Sequence, residues 1–145
     1  MDEIEELKAK CEEYLNGWKR ERADFLNYKK EEMERIGQMI KYANQELILK
    51  ILPILDNFEL AEKHIADEGI SQIKKQLSDL LAKEGIEAIK TMGEPFDPNT
   101  MEAVGEAEGG EEGTIAEEVL RGYTMHGKVI RPAKVKVTKQ NASQT

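Results

Sequence analysis

The sequence predicts a mainly helical α+β protein in three parts: a long N-terminal coiled-coil helix, a helical-bundle segment that forms a four-helix bundle in a dimer, and a small C-terminal all-β domain. Three observations carry this prediction. Apolar residues recur at heptad and then eleven-residue spacing from Ile4 to Phe58. The apolar stripe widens abruptly around Pro53. The segment from Leu120 to Lys139 alternates apolar and basic residues in the manner of β-strands.

Residues 1–52 are expected to form the long dimerising helix. Ile4, Leu7, Cys11, Tyr14, Trp18 and Phe25 occupy a and d positions of a heptad, with Glu21 the exception. Beyond Phe25 the heptad fails, because Glu32 and Arg35 would enter the seam. An eleven-residue step restores it through Phe25, Ile36, Leu47 and Phe58, so the supercoil should straighten or reverse there. A helix of about 50 residues is about 75 Å long, and such a stripe needs a partner helix, most simply a second copy of the same chain.

Residues 53–85 are expected to contribute a helix pair. Leu47, Ile48, Leu49, Ile51, Leu52, Ile54, Leu55 and Phe58 make a stripe too wide for a two-stranded seam. Pro53 should kink or restart the helix. Ala66–Gly69 reads as a turn. A further helix runs from about Ser71 to Gly85, with Ile70, Ile73, Leu77, Leu80 and Leu81 on one face. The dimer interface is therefore expected to use Leu7, Cys11, Tyr14, Trp18, Phe25, Ile36, Leu47, Ile51, Ile54, Phe58, Leu77 and Leu80.

Residues 86–139 are expected to form the β-domain. Ile86–Ile89 alternates as a short strand. Phe96-Asp97-Pro98-Asn99 is a turn, and Asn99 or Thr100 is placed to cap a brief helical turn through Val104. Glu102–Glu118 holds seven acidic and no basic residues, with a mobile loop expected at Gly109–Gly113. Two strands then flank a tight turn at His126-Gly127. In the second, Val129, Val135 and Val137 share one parity and Lys128, Lys134 and Lys136 the other. Residues 140–145 should be a frayed polar tail.

Composition excludes several classes. A net charge of −8 disfavours general nucleic-acid binding. No apolar run approaches the roughly 20 residues of a membrane span. A single cysteine, Cys11, makes no internal disulfide, and a reducing cytoplasm is the simplest setting. There is no CxxC, HExxH, GxSxG or phosphate-loop motif, so neither an enzyme nor a cofactor, metal or small-molecule substrate is expected.

Several motifs resemble the GrpE family of nucleotide exchange factors. Phe96-Asp97-Pro98-Asn99 followed by Met101-Glu102-Ala103-Val104 is similar to the family's C-terminal signature. So are Gly122-Tyr123, Gly127-Lys128-Val129-Ile130-Arg131-Pro132-Ala133 and Val135. Asn27-Tyr28-Lys29-Lys30, Lys41-Tyr42-Ala43 and Leu52-Pro53-Ile54-Leu55-Asp56-Asn57-Phe58 resemble its helical half. Family members usually carry a longer acidic N-terminal tail, whereas here the helix is expected to begin almost at Met1. The resemblance implies a homodimer with paired long helices, a central four-helix bundle and two β-wings. One wing would insert into the nucleotide-binding domain of a DnaK-type chaperone, hold its cleft open and release ADP.

The expected partner surface is Lys128, Lys29, Lys30 and Lys41, which match basic family positions, with Ile130, which shares parity with Lys128, and Val119 and Val137. Each has a plainer reading. Lys128 is also the kind of lysine that protects a strand edge. Lys29, Lys30 and Lys41 also suit the solvated face of a helix, and Val119 and Val137 also suit a core. From Arg121 to Lys139 there are six basic and no acidic residues, which favours an acidic partner. The alternative is a coiled-coil scaffold whose basic β-domain binds some other acidic protein.

Overall fold

The structure, a computed structural model, describes residues 2–139; the expected frayed tail lies outside them. The chain divides into two compact units, residues 1–43 and 44–145.

The first unit is helix α1, Glu3–Lys41. Asp2 caps it by accepting from the Ile4 amide, and Glu3, Glu5 and Glu6 sit in its first turn, where the helix dipole favours negative charge. Glu32–Arg35 and Asn27–Glu31 pairs brace its surface. No side chain of α1 is buried. The helix expected to reach Pro53 ends earlier, at a turn over residues 42–44.

The second unit begins with α2, Gln45–His64. Pro53 lies inside α2 rather than at a break. At about 100° per residue, Leu47, Ile51, Ile54 and Phe58 fall on one strip of α2, and Ile48, Leu52 and Leu55 on the strip beside it. The second strip is buried, while Leu47 and Ile54 are exposed and Ile51 and Phe58 half-buried. The breadth of the apolar stripe thus has a simple cause: only one half of it is covered within the chain.

Asp67 accepts from the Gly69 amide at 2.7 Å and starts α3, Glu68–Lys83, three residues before the expected Ser71. Its expected apolar face is split in the same way. Leu81 is buried, Leu77 half-buried, and Ile73 and Leu80 exposed. α2 packs on α3, α3 on the first strand of the sheets, and α2 on the fifth.

Six strands follow: β1 Ile86–Ala88, β2 Met101–Ala107, β3 Ile115–Leu120, β4 Tyr123–Met125, β5 Lys128–Arg131 and β6 Ala133–Thr138. They form two three-stranded sheets, in the orders β1-β4-β5 and β2-β6-β3. The first sheet is antiparallel, while in the second β2 runs parallel to β6.

Two expectations are corrected here. Met101–Val104 is strand, not a helical turn, because β2 finds its ladder in β6, some thirty residues away, which no local signal reveals. The single basic strand expected after the turn is two strands in different sheets, because Pro132 interrupts it. The chain leaves one sheet through Gly122 and re-enters it through Pro132-Ala133, and these crossings touch. A Cβ on Gly122 would press into Ala133 N and Pro132 C, so only glycine fits. Beneath the second sheet Met101, Ile115, Ala133 and Val135 form the core, with Phe96 and Val137 packed against it. The glycine-rich loop is held at its end, since Phe96 N donates to Gly113 O and Gly113 N to Thr138 O.

Candidate functional site: the β-hairpin and its joint with helix α2

The hairpin β4–β5 turns at His126-Gly127, with φ of 49° and 85°. Two consecutive left-handed residues make the tight turn whose twist matches the strands. Lys128 is the first residue after it and is exposed. Ile130 on the same strand is half-buried. Val119, on β3, is 50% exposed. It lines a cleft of about 400 Å³ shared with Asp56, Glu59, Lys74 and Arg121. Val137 is half-buried against the core of the second sheet. Lys29, Lys30 and Lys41 are exposed on α1, the last over the ring of Tyr42.

The apolar stripe expected at a dimer interface is exposed along α1: Leu7, Cys11, Tyr14, Trp18, Phe25 and Ile36 all face solvent in the single chain.

The base of the hairpin carries a charged network that sequence reasoning did not anticipate. Arg131 grips Asp56 of α2 with both Nη atoms, at 2.6 and 2.8 Å. Its Nε donates to the Arg121 carbonyl at 3.0 Å, and its guanidinium lies over the Tyr123 ring at 5.2 Å. Arg121 in turn reaches Glu59 at 2.6 Å and Glu118 at 3.1 Å. Glu118 also accepts from the buried Thr91 hydroxyl. Burial disfavours the charged form of Arg121, but the hydrogen bond to Glu118 and the charge of Glu59 outweigh it and hold its pKa above the ordinary value. Tyr123 is pushed up to about 12, chiefly by burial and then by Glu59, so its phenol stays neutral.

This changes the reading of the basic stripe. Among the described residues, Arg121, Arg131, Lys136 and Lys139 all have carboxylate partners, the last two in Glu117 and Glu106 across the second sheet. The acidic Glu102–Glu118 segment and α2 thus neutralise much of it. Lys128 and Lys134 are exposed on that stripe. Among the described residues no group of three His, Cys, Asp or Glu side chains is placed to hold a metal ion, and no helix is long and apolar enough to cross a membrane.

The sequence model of the GrpE family matches residues 1–139, which spans both units. The chain belongs to the GrpE family. It is 40% identical over 146 residues to Protein GrpE of Geobacillus kaustophilus, covering 94% of this chain and 68% of that one. It is 41% identical to Protein GrpE of Oceanobacillus iheyensis, covering 95% and 77%. With Protein GrpE of Bacillus subtilis the identity is 38%, covering 94% and 79%. GrpE proteins are co-chaperones of DnaK-type chaperones and act as nucleotide exchange factors; no enzyme family is indicated.

Proposed function

We propose that this chain is a homodimeric nucleotide exchange factor of the cytoplasm. Its β-domain binds the nucleotide-binding domain of a DnaK-type chaperone, holds the cleft open and promotes ADP release. The observation that carries the reading is the family match along residues 1–139, which includes the helical segments as well as the hairpin. Lys128 at the exposed hairpin tip supplies a cation for the chaperone, with Ile130 on the same strand and Val119 on β3 as further contacts. Val137 contributes mainly through the core it supports. Lys29, Lys30 and Lys41 supply a second basic contact from α1. The α1 stripe pairs with that of a second copy, and Leu47, Ile54, Ile73 and Leu80 line the bundle the two copies form.

The mechanism is linkage, without a chemical step. A protein that binds the open cleft more tightly than the closed one lowers ADP affinity, and nucleotide must weaken its binding by the same factor. A coupling of about 3 kcal/mol changes nucleotide affinity more than a hundredfold. The test is release of a fluorescent ADP analogue from DnaK, which the chain should accelerate and saturate. Unchanged release at saturating concentrations would contradict the function and favour a scaffold that binds another acidic protein.

A further inference from the structure

Asp56 and Glu59 are three residues apart, so one face of α2 presents two carboxylates to the β-domain. Arg131 takes the first and Arg121 the second. The Arg131 side chain is only 15% exposed, and its fork is fixed on Asp56, on the Arg121 carbonyl and over Tyr123. A planar guanidinium held on so many sides has little rotational freedom left. The hairpin therefore leaves α2 at one angle. Lys128 lies three residues from Arg131 along β5, about 10 Å, so any swing at the joint is carried to the tip.

We propose that Asp56, Glu59, Arg121 and Arg131 are positioning residues for nucleotide exchange: they fix the direction of the hairpin relative to α2, and this stiffness is what lets the chain distinguish an open chaperone cleft from a closed one. The inference rests on the exchange function proposed above. A ligand shifts an equilibrium only by its differential affinity for the two states. A stiff wing fits the open cleft and strains against the closed one, whereas a loosely jointed wing follows both. Loosening the joint keeps binding and loses coupling. Loss of a contact residue such as Lys128 does the reverse, raising the concentration needed while leaving the saturated rate.

The experiment uses full-length chains carrying Asp56→Asn, Glu59→Gln or both, titrated against DnaK loaded with a fluorescent ADP analogue. Both substitutions keep shape and remove charge. The saturated release rate should fall about tenfold in the double variant, while the half-saturating concentration moves little. Arg131→Lys, which keeps the charge and loses the fork, serves as an independent second variant and should give a smaller fall of the same kind. An unchanged saturated rate, or a shift confined to the half-saturating concentration, would overturn the assignment. Wild-type chain that fails to accelerate release at all would instead overturn the exchange function, and this role with it.

Discussion

Helix α1 buries none of its side chains, whereas the unit that follows buries Leu52, Leu55, Met125 and Val135 almost completely. α1 and α2 each carry an apolar stripe, and they differ in what covers it. In α2 and α3, Ile48, Leu52, Leu55 and Leu81 are buried, while Leu47, Ile54, Ile73 and Leu80 are exposed. In α1 the stripe from Ile4 to Ile36 has no cover within its own unit. Exposed surface pairs such as Glu32–Arg35 contribute little, too little to hold thirty-nine residues helical by themselves. One region makes its own core; the other leaves its apolar stripe uncovered within its own unit.

The largest expected effect breaks the self-sufficient region. Leu52 is fully buried, and Leu52→Ala should cost about 2–5 kcal/mol. Hydrogen exchange of the β4 and β5 amides should report it, because α2 packs on that sheet. Protection unchanged from wild type would mean that α2 does not share the β-domain's core.

The second effect breaks the other region. Trp18 is 58% exposed in the single chain. If a second copy covers it, Trp18→Glu should weaken association by about 2–3 kcal/mol, the value of burying a large apolar side chain. Hydrogen exchange of the strand amides in the two sheets should change little. Equal dimer affinity for variant and wild type would show that α1 is not the seam.

How far each region was legible follows from the same contrast. The heptad of α1, the α3 pattern and the His126-Gly127 turn are local signals, and all three are present as a helix, a helix and a turn, though α1 ends earlier and α3 starts earlier than their patterns suggest. The parallel pairing of β2 with β6 is not local, so Asn99-Thr100 reads as a helix cap when it precedes a strand. The helix boundary at residues 42–44 carries no proline or glycine to mark it, whereas Pro53, the conspicuous breaker, is accommodated within α2. The charged joint escaped for a related reason. Arg121 and Arg131 look like part of a partner-facing stripe until the fold brings Asp56 and Glu59 to them, across 62 and 75 residues of sequence. The available signal was the acidic pair Asp56 and Glu59, at i and i+3 on one helix face.

A smaller effect sharpens the comparison at the helix caps. Asp67 bonds the Gly69 amide at 2.7 Å, against 3.5 Å for Asp2 and Ile4. Asp67→Ala should cost about 1 kcal/mol and Asp2→Ala less, as read from denaturant unfolding. The reverse order would show that cap geometry does not rank the two regions.

The smallest stability effect is expected at the hairpin tip. Lys128→Glu should leave unfolding within about 0.5 kcal/mol of wild type, yet weaken DnaK binding most at low salt, because reversing a rim charge acts through the field rather than through packing. Binding that is unaffected at low salt would remove Lys128 from the partner surface.

The claim that α1 is completed by a second copy is tested most directly by sedimentation equilibrium of the full chain at micromolar concentration, with helicity followed on the same samples. The expected mass is twice the 16.5 kDa of one chain, falling only on dilution and together with helical signal. A single-chain mass with the helical signal intact would contradict the account, because α1 would then be stable with its apolar stripe in water.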